Sequence, residues 1–147
     1  MTVIVTSDIE DWAQSTLDPD MPIYPRAQSN TEHLLDVVAE HRKKITCFVL
    51  GRFAELFPET VRRIANEGHE VASHGYGHVN IYEQTPDEFR QDIRRSKMQL
   101  EDLIGQAVVG YRGPCFSLGV AGDWPLEILA EEGFQYDSSI FPSPTYR

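Results

Sequence analysis

The chain has 147 residues, 41% hydrophobic and 10% aromatic, which suits one domain with its own core and leaves no room for a second. With 13 Lys and Arg against 23 Asp and Glu the formal charge is −10, so a polyanion is repelled over most of the surface and nucleic-acid binding is not expected. No stretch approaches the roughly 20 apolar residues of a membrane span, and the opening Met1-Thr2-Val3-Ile4-Val5-Thr6-Ser7-Asp8 has no basic leader.

Residues 3–6 form a β-branched run that ends in carboxylates, the pattern of a buried parallel strand whose C-terminal end faces a site. A polar loop follows through Pro19, Pro22 and Pro25. Ser29 or Asn30 then caps a helix with Leu34, Leu35 and Val38 on its apolar face. The basic run Arg42-Lys43-Lys44 reads as the end of that helix rather than as a binding patch. Residues 45–50 make a second strand, with Cys47 as a small buried hydrophobe, and residues 58–66 a second helix opened by Pro58 and ended by Gly68. A third strand over residues 70–73 runs into His74-Gly75-Tyr76-Gly77-His78, where two glycines predict a turn. Thr85-Pro86-Asp87-Glu88 is a capping box opening a long helix through Phe89, Ile93, Leu100 and Leu103 to Gly105. Residues 108–111 give a fourth strand, Asp123 caps a helix over residues 125–132, and residues 134–140 give a fifth strand.

This alternation predicts an α/β fold whose parallel sheet curves toward a barrel, with function gathered at the C-terminal ends of the strands. A five-strand arc leaves an open edge, so a further C-terminal segment beyond Arg147 or a second copy of the chain is expected to cover it. Cys47 and Cys115 show neither the density of a disulfide scaffold nor the pairing of a zinc knuckle. They read as free thiols in a reducing cytoplasm.

The polar clusters at the predicted strand ends are Asp8, Glu10 and Asp11, then His74 and His78, then Arg112. Two imidazoles and one carboxylate make a three-ligand set for Zn²⁺ or another divalent transition metal, with a coordination position left open. Zinc lowers the pKa of a bound water to about 7 and polarises a carbonyl, so a second carboxylate nearby can act as general base. Strand alternation puts Asp8 and Glu10 on one face and Ile9 on the other, so that one acid can hold metal while the other takes a proton. Arg112 suits a bidentate grip on the base. Taken singly, each group has a bland reading: the histidine pair as a turn with exposed imidazoles, the acids as solvated strand-end groups, Arg112 as a surface turn residue. Their common position at one end of successive strands favours a single site.

Five segments, in order, resemble the NodB-homology polysaccharide deacetylases. They are Ser7-Asp8-Ile9-Glu10-Asp11-Trp12, Thr46-Cys47-Phe48-Val49-Leu50-Gly51, the run from Gly68 through His74-Gly75-Tyr76-Gly77-His78, Gly110-Tyr111-Arg112-Gly113-Pro114-Cys115-Phe116-Ser117, and Glu132-Gly133-Phe134-Gln135-Tyr136-Asp137-Ser138-Ser139-Ile140-Phe141-Pro142. The acid two positions after the base matches the branch associated with bacterial exopolysaccharide biosynthesis. The resemblance implies a distorted (β/α) barrel, here its first five βα units in one C-terminally incomplete domain over residues 1–147. It also implies a metal-dependent N-deacetylase acting on the acetamide of N-acetylated amino sugars in a polysaccharide or glycan precursor.

By that resemblance Asp8 is the general base, Glu10, His74 and His78 hold the metal, and Arg112 tethers the base. A backbone N–H near Cys115 or Phe116 joins the metal in an oxyanion hole, and Trp12, Tyr76 and Phe116 belong to the substrate site. Two features depart from the family pattern. Ile9 separates Asp8 from Glu10 where much of the family has adjacent aspartates, which keeps Asp11 as an alternative. The family's late histidine, its general acid, would lie beyond Arg147, and His33, His41 and His69 fall on predicted helices or helix ends. The rival expectation is therefore a non-catalytic sugar-binding or assembly subunit that keeps the metal site without the acid. The allantoinase relatives of this fold, which act on cyclic ureides, dispense with the metal histidines, so His74 and His78 argue against that chemistry.

Overall fold

The sheet follows the order of the chain. In the computed structural model, which describes residues 3–18 and 20–140, strands β1 (Thr6–Ile9), β2 (Thr46–Val49), β3 (Glu70–Ser73), β4 (Gly110–Tyr111) and β5 (Tyr136–Asp137) lie in the order 1-2-3-4-5, all parallel. Parallel neighbours need long crossovers, and here they carry α1 (Trp12–Thr16), α2 (Pro25–Glu40), α3 (Gly51–Leu56), α4 (Pro58–Asn66), α5 (Pro86–Ile104), α6 (Leu118–Ala121) and α7 (Trp124–Glu131). This is the expected α/β architecture.

Alternation divides the strand residues between two faces. Ile9, Cys47, Val49, Val71 and Tyr111 join Leu35, Phe53, Val61, Ile64, Phe89, Ile93 and Leu100 in one core under the helices. Each such large side chain contributes roughly 1.5–3 kcal/mol on burial. The opposite face is largely polar. There Glu70 accepts from Thr46 Oγ1 at 2.6 Å and from the Tyr136 hydroxyl at 2.8 Å. At the outer end of the bundle, Glu132 binds Arg90 at 2.8 Å and Arg94 at 2.6 Å, tying the end of α7 to α5.

Several predicted boundaries move for identifiable reasons. β1 begins at Thr6, because its register partner β2 begins at Thr46, and Val3, Ile4 and Val5 are left 67%, 79% and 54% exposed. α2 begins at Pro25, whose ring is pre-set for the first helical position; Ser29 is already inside and donates its hydroxyl to Pro25 O. The helix ends before the basic run, with Arg42 in the left-handed region. The capping box of α5 forms as expected, Glu88 N–H to Thr85 Oγ1 and Thr85 N–H to Glu88 Oε2, and Gly105 closes the helix at φ +66°. α7 starts at Trp124, and Asp123 makes no side-chain cap bond. β4 and β5 shorten to two residues each. The expected continuation past residue 140 lies outside the described residues. Among those described, no helix is long and apolar enough to cross a membrane.

Candidate metal centre

The first acids enter the site where β1 runs out. Ile9 is buried under the helices, while Asp8 reaches toward His74 and Glu10 lies against both His74 and His78. The next residue, Asp11, is spent on structure: its carboxylate accepts from Ala13 N at 3.0 Å to cap α1, from Tyr24 N at 2.9 Å and from Arg26 at 3.2 Å. Burial acts to raise the Asp11 carboxyl, and these donors outweigh it and leave it below the usual range. Both its oxygens are thus committed to the α1–α2 segment.

The histidine pair is held by its backbone. Gly75 at φ +73° and His78 at φ +60° turn the chain sharply after β3. On one side, the first N–H groups of α3 reach the loop, Gly51 N to Gly75 O at 2.9 Å and Arg52 N to Tyr76 O at 3.1 Å. On the other, Asp92 of α5 accepts from Tyr76 N at 2.8 Å and Gly77 N at 3.0 Å. Burial pushes the Asp92 carboxyl up despite these donors. Residue 51 must be glycine for this approach, since a Cβ there would sit 2.9 Å from Tyr76 Cα. Sequence reasoning missed Asp92, although a signal existed: it falls on the same helical face as the buried Phe89, Ile93, Ser96 and Leu100.

The side chains then converge. His74 Nε2 lies 3.4 Å and His78 Nε2 2.9 Å from Glu10 Oε2, and one ligand atom from each of the three residues falls within 4.8 Å of the others. His74 Nδ1 is 2.8 Å from the carbonyl oxygen of Arg112, which can only accept. That contact assigns the proton to Nδ1 and leaves the Nε2 lone pair facing Glu10. Glu10 Oε2 is buried and has no hydrogen-bond partner, although His78 Nε2 lies 2.9 Å away. Burial acts to raise the Glu10 carboxyl, and His74 and His78, when doubly protonated, outweigh it to hold the acid well below the usual range. A buried anionic oxygen opposite two imidazole nitrogens, with no bond of its own, is a donor set that fits a divalent cation.

Arg112, just past β4, organises the adjoining acid. Its Nη1 donates to Asp8 Oδ1 at 2.7 Å, Nη2 to Thr6 Oγ1 at 3.1 Å and Ser138 Oγ at 2.9 Å, and Nε to Ser138 O at 3.3 Å. The guanidinium rests 4.0 Å from the centre of the Phe48 ring. The grip on Asp8 is through one oxygen rather than two, because the rest of the fork is taken by Thr6 and Ser138. Asp8 Oδ2 is left 4.0 Å from His74 Nε2. Ser139 Oγ accepts from Gly113 N at 2.7 Å and donates to Asp137 at 2.5 Å, which fixes the turn after Arg112. In that turn Cys115 and Phe116 both have φ +52°, and Phe116 N–H is engaged by Gly113 O at 3.2 Å. Such backbone strain concentrates at functional sites.

The aromatic candidates separate. Trp12 is 64% exposed and shares a cavity of 730 Å³ with Glu10. Phe116 is 39% exposed, 5.6 Å from the Arg112 guanidinium. Tyr76 points elsewhere, its hydroxyl on Glu55 at 2.5 Å and its ring 3.5 Å beneath Arg95. His33 and His41 lie on α2 and at its end, and His69 is buried before β3, accepting from Ile45 N at 3.2 Å.

The sequence model of the polysaccharide deacetylases matches residues 13–135. The chain belongs to the polysaccharide deacetylase family. The match begins beyond Asp8 and Glu10, so their place in this deacetylase domain rests on the geometry above. The domain is similar to a peptidoglycan-N-acetylglucosamine deacetylase of Bacillus cereus, 38% identical over 96 residues, covering 65% of this chain and 32% of that protein. It is also similar to a peptidoglycan deacetylase of Helicobacter pylori, 32% identical, covering 73% of this chain and 36% of that one. The chain thus spans about a third of the length of these relatives. Among solved structures it resembles the Bc1960 peptidoglycan N-acetylglucosamine deacetylase in complex with 4-naphthalen-1-yl-N-oxidanyl-benzamide (TM-score 0.71, 31% identity, 91% of this chain and 54% of that one). It shares its fold with BA3943 of Bacillus anthracis, a CE4 family pseudoenzyme (TM-score 0.71, 18% identity, 91% of this chain and 41% of that one).

Proposed function

We propose that this chain carries the metal ligands and the general base of a carbohydrate N-deacetylase that hydrolyses the acetamide of N-acetylated amino sugars. The observation that carries the reading is the meeting of Glu10, His74 and His78 around one point, with Asp8 held beside them by Arg112. Glu10 Oε2 and the Nε2 atoms of His74 and His78 would hold the metal, and two imidazoles with one carboxylate favour zinc. A divalent cation there supplies Lewis acidity toward the acetamide oxygen and acidifies water.

The protein's own groups do the rest. Asp8, anchored through Oδ1, presents Oδ2 toward the cluster, where it accepts the proton of the attacking water. Arg112 fixes that oxygen's direction. With Phe116 N–H turned to Gly113 O, the Cys115 N–H is the better donor to the developing oxyanion. Trp12 and Phe116 offer exposed aromatic surface to the sugar. The spacing Asp8-Ile9-Glu10 supports the exopolysaccharide-associated branch, and the free thiols of Cys47 and Cys115 support a reducing, cytoplasmic setting.

Acetate release from N-acetylglucosamine oligomers by the complete protein tests this reading. Release that stops on chelation, returns with zinc and disappears in Glu10→Ala is expected; a correctly folded protein that takes up no divalent metal overturns it. One observation favours a second reading, a sugar-binding subunit without turnover: among the described residues no histidine beyond His74 and His78 joins the cluster to serve as general acid. Metal uptake and glycan binding without acetate release would decide for that subunit.

A further inference from the structure

On the sheet face turned away from the helices, one acid joins three strands. Glu70, at the start of β3, accepts from Thr46 Oγ1 of β2 at 2.6 Å through Oε2 and from the Tyr136 hydroxyl of β5 at 2.8 Å through Oε1. Strand β4 lies between β3 and β5, so the phenol has to pass over it. It passes at Gly110, its partner in the β4–β5 ladder, where a Cβ would stand 2.2 Å from the hydroxyl oxygen. Only glycine leaves room for that approach. Burial, with the Glu70 carboxylate beside it, pushes the phenol above its ordinary value, so the hydroxyl remains a donor near neutral pH.

The residues that Glu70 grips stand in a fixed relation to the guanidinium, because side chains two apart on a strand share a face. Thr46 precedes by two Phe48, whose ring centre lies 4.0 Å from the Arg112 guanidinium. Tyr136 precedes by two Ser138, which accepts from Arg112 Nη2 on its hydroxyl at 2.9 Å and from Nε on its carbonyl at 3.3 Å. Gly110 in turn precedes Arg112 itself by two. Both supports of the guanidinium are thus tied, one strand step back, to the same carboxylate.

The backbone ladder specifies this side of the sheet weakly. β4 meets β3 at one register position and β5 at two, so a bridge from Tyr136 to Glu70 adds a direct tie between β5 and β3. A slip of β5 would carry Ser138 with it and turn the fork whose Nη1 holds Asp8 Oδ1 at 2.7 Å. Resting on the deacetylase reading above, we infer that Glu70, Tyr136 and Gly110 are positioning residues for the reaction: they set Phe48 and Ser138 around Arg112 and so aim the Asp8 carboxylate. Misaiming of this kind slows turnover and leaves the cluster of Glu10, His74 and His78 intact.

The test uses the complete zinc-loaded protein with Tyr136→Phe, which removes only the hydroxyl, Gly110→Ala, which blocks the crossing, and Glu70→Gln, which keeps one carboxylate acceptor of the two. In Tyr136→Phe and Gly110→Ala, kcat for acetate release from N-acetylglucosamine oligomers falls about tenfold while KM and zinc affinity hold, and Glu70→Gln retains part of the rate. The Arg112 Nε–H, held by Ser138 O, exchanges with water about tenfold faster by NMR in the same two variants. Wild-type kcat in Tyr136→Phe, even with a lowered melting temperature, assigns the bridge to the fold alone and overturns the inference. Should Gly110→Ala fail to fold, Tyr136→Phe decides by itself. If the wild type releases no acetate, the deacetylase reading is what has failed, and Nε–H exchange judges the bridge: acceleration in Tyr136→Phe upholds it, and an unchanged rate overturns it.

Discussion

Removing the carboxylate of Asp92 should loosen the metal site without touching a ligand. Asp92 accepts from Tyr76 N at 2.8 Å and Gly77 N at 3.0 Å, and both donors lie between His74 and His78. Hydrogen bonds to a charged group are worth roughly 1.5–3 kcal/mol each. Burial disfavours the ionised acid here, and water can reach a truncated site, so the net loss in Asp92→Ala is set at about 2 kcal/mol, below the simple sum. If those bonds form only when the loop is ordered, the loss appears as metal affinity weakened about 30-fold. That lies inside the roughly 10–100-fold range seen when an outer partner of a metal ligand is removed. Competition with a chromophoric chelator measures the affinity, and the visible spectrum of the cobalt-loaded protein reports ligand geometry. Wild-type affinity and an unchanged cobalt spectrum in Asp92→Ala would refute the reasoning, and a lowered melting temperature alone would assign the clamp to the fold.

Gly51→Ala presses a methyl group against Tyr76 Cα, a backbone atom that cannot swing aside, so the same chelator assay should show weakened zinc binding; unchanged affinity would mean that α3 can retreat. Asp8→Asn is expected to cut acetate release by about 10²–10⁴-fold while zinc affinity holds, if Asp8 takes the proton as proposed and is no ligand. Parallel loss of affinity would make it a ligand. Hydrogen bonds from Arg94 and then Arg90 depress the Glu132 carboxyl, with burial opposing them. A depressed folded-state pKa stabilises above the unfolded value, about 4.3, and that stabilisation is lost as pH falls through the folded value. Glu132→Gln should therefore lower the urea midpoint at neutral pH, with the difference closing in acid; a pH-independent difference would count against it.

Local chemistry made part of this molecule legible. Thr85 and Glu88 sit three apart and cap each other, and the glycines of His74-Gly75-Tyr76-Gly77-His78 announce a turn before any partner is known. The alternation of strands and helices was readable for the same reason. The rest depends on partners distant in sequence. Residues 3–5 have strand propensity but, among the described residues, a single ladder bond, from Thr46 N to Val5 O, and they remain outside β1. Asp11 looked like a third acid of the site, and only the return of Tyr24 and Arg26 reveals it as a bracket. The short helices α1 and α3 follow their strands without a periodic apolar stripe long enough to read. Arg112 was recognisable as the tether, whereas its division among Asp8, Thr6 and Ser138 required the curvature of the sheet.

That curvature carries a consequence for how the molecule comes apart. Asp8 and Arg112 are 104 positions apart, and the same guanidinium clasps the residue just past the opposite edge strand. A contact of such high order has a large loop-closure cost. Gentle denaturation should therefore unclasp the two sheet margins while α2, α4 and α5 still hold their turns, and catalytic competence should vanish at a lower urea concentration than helical circular dichroism.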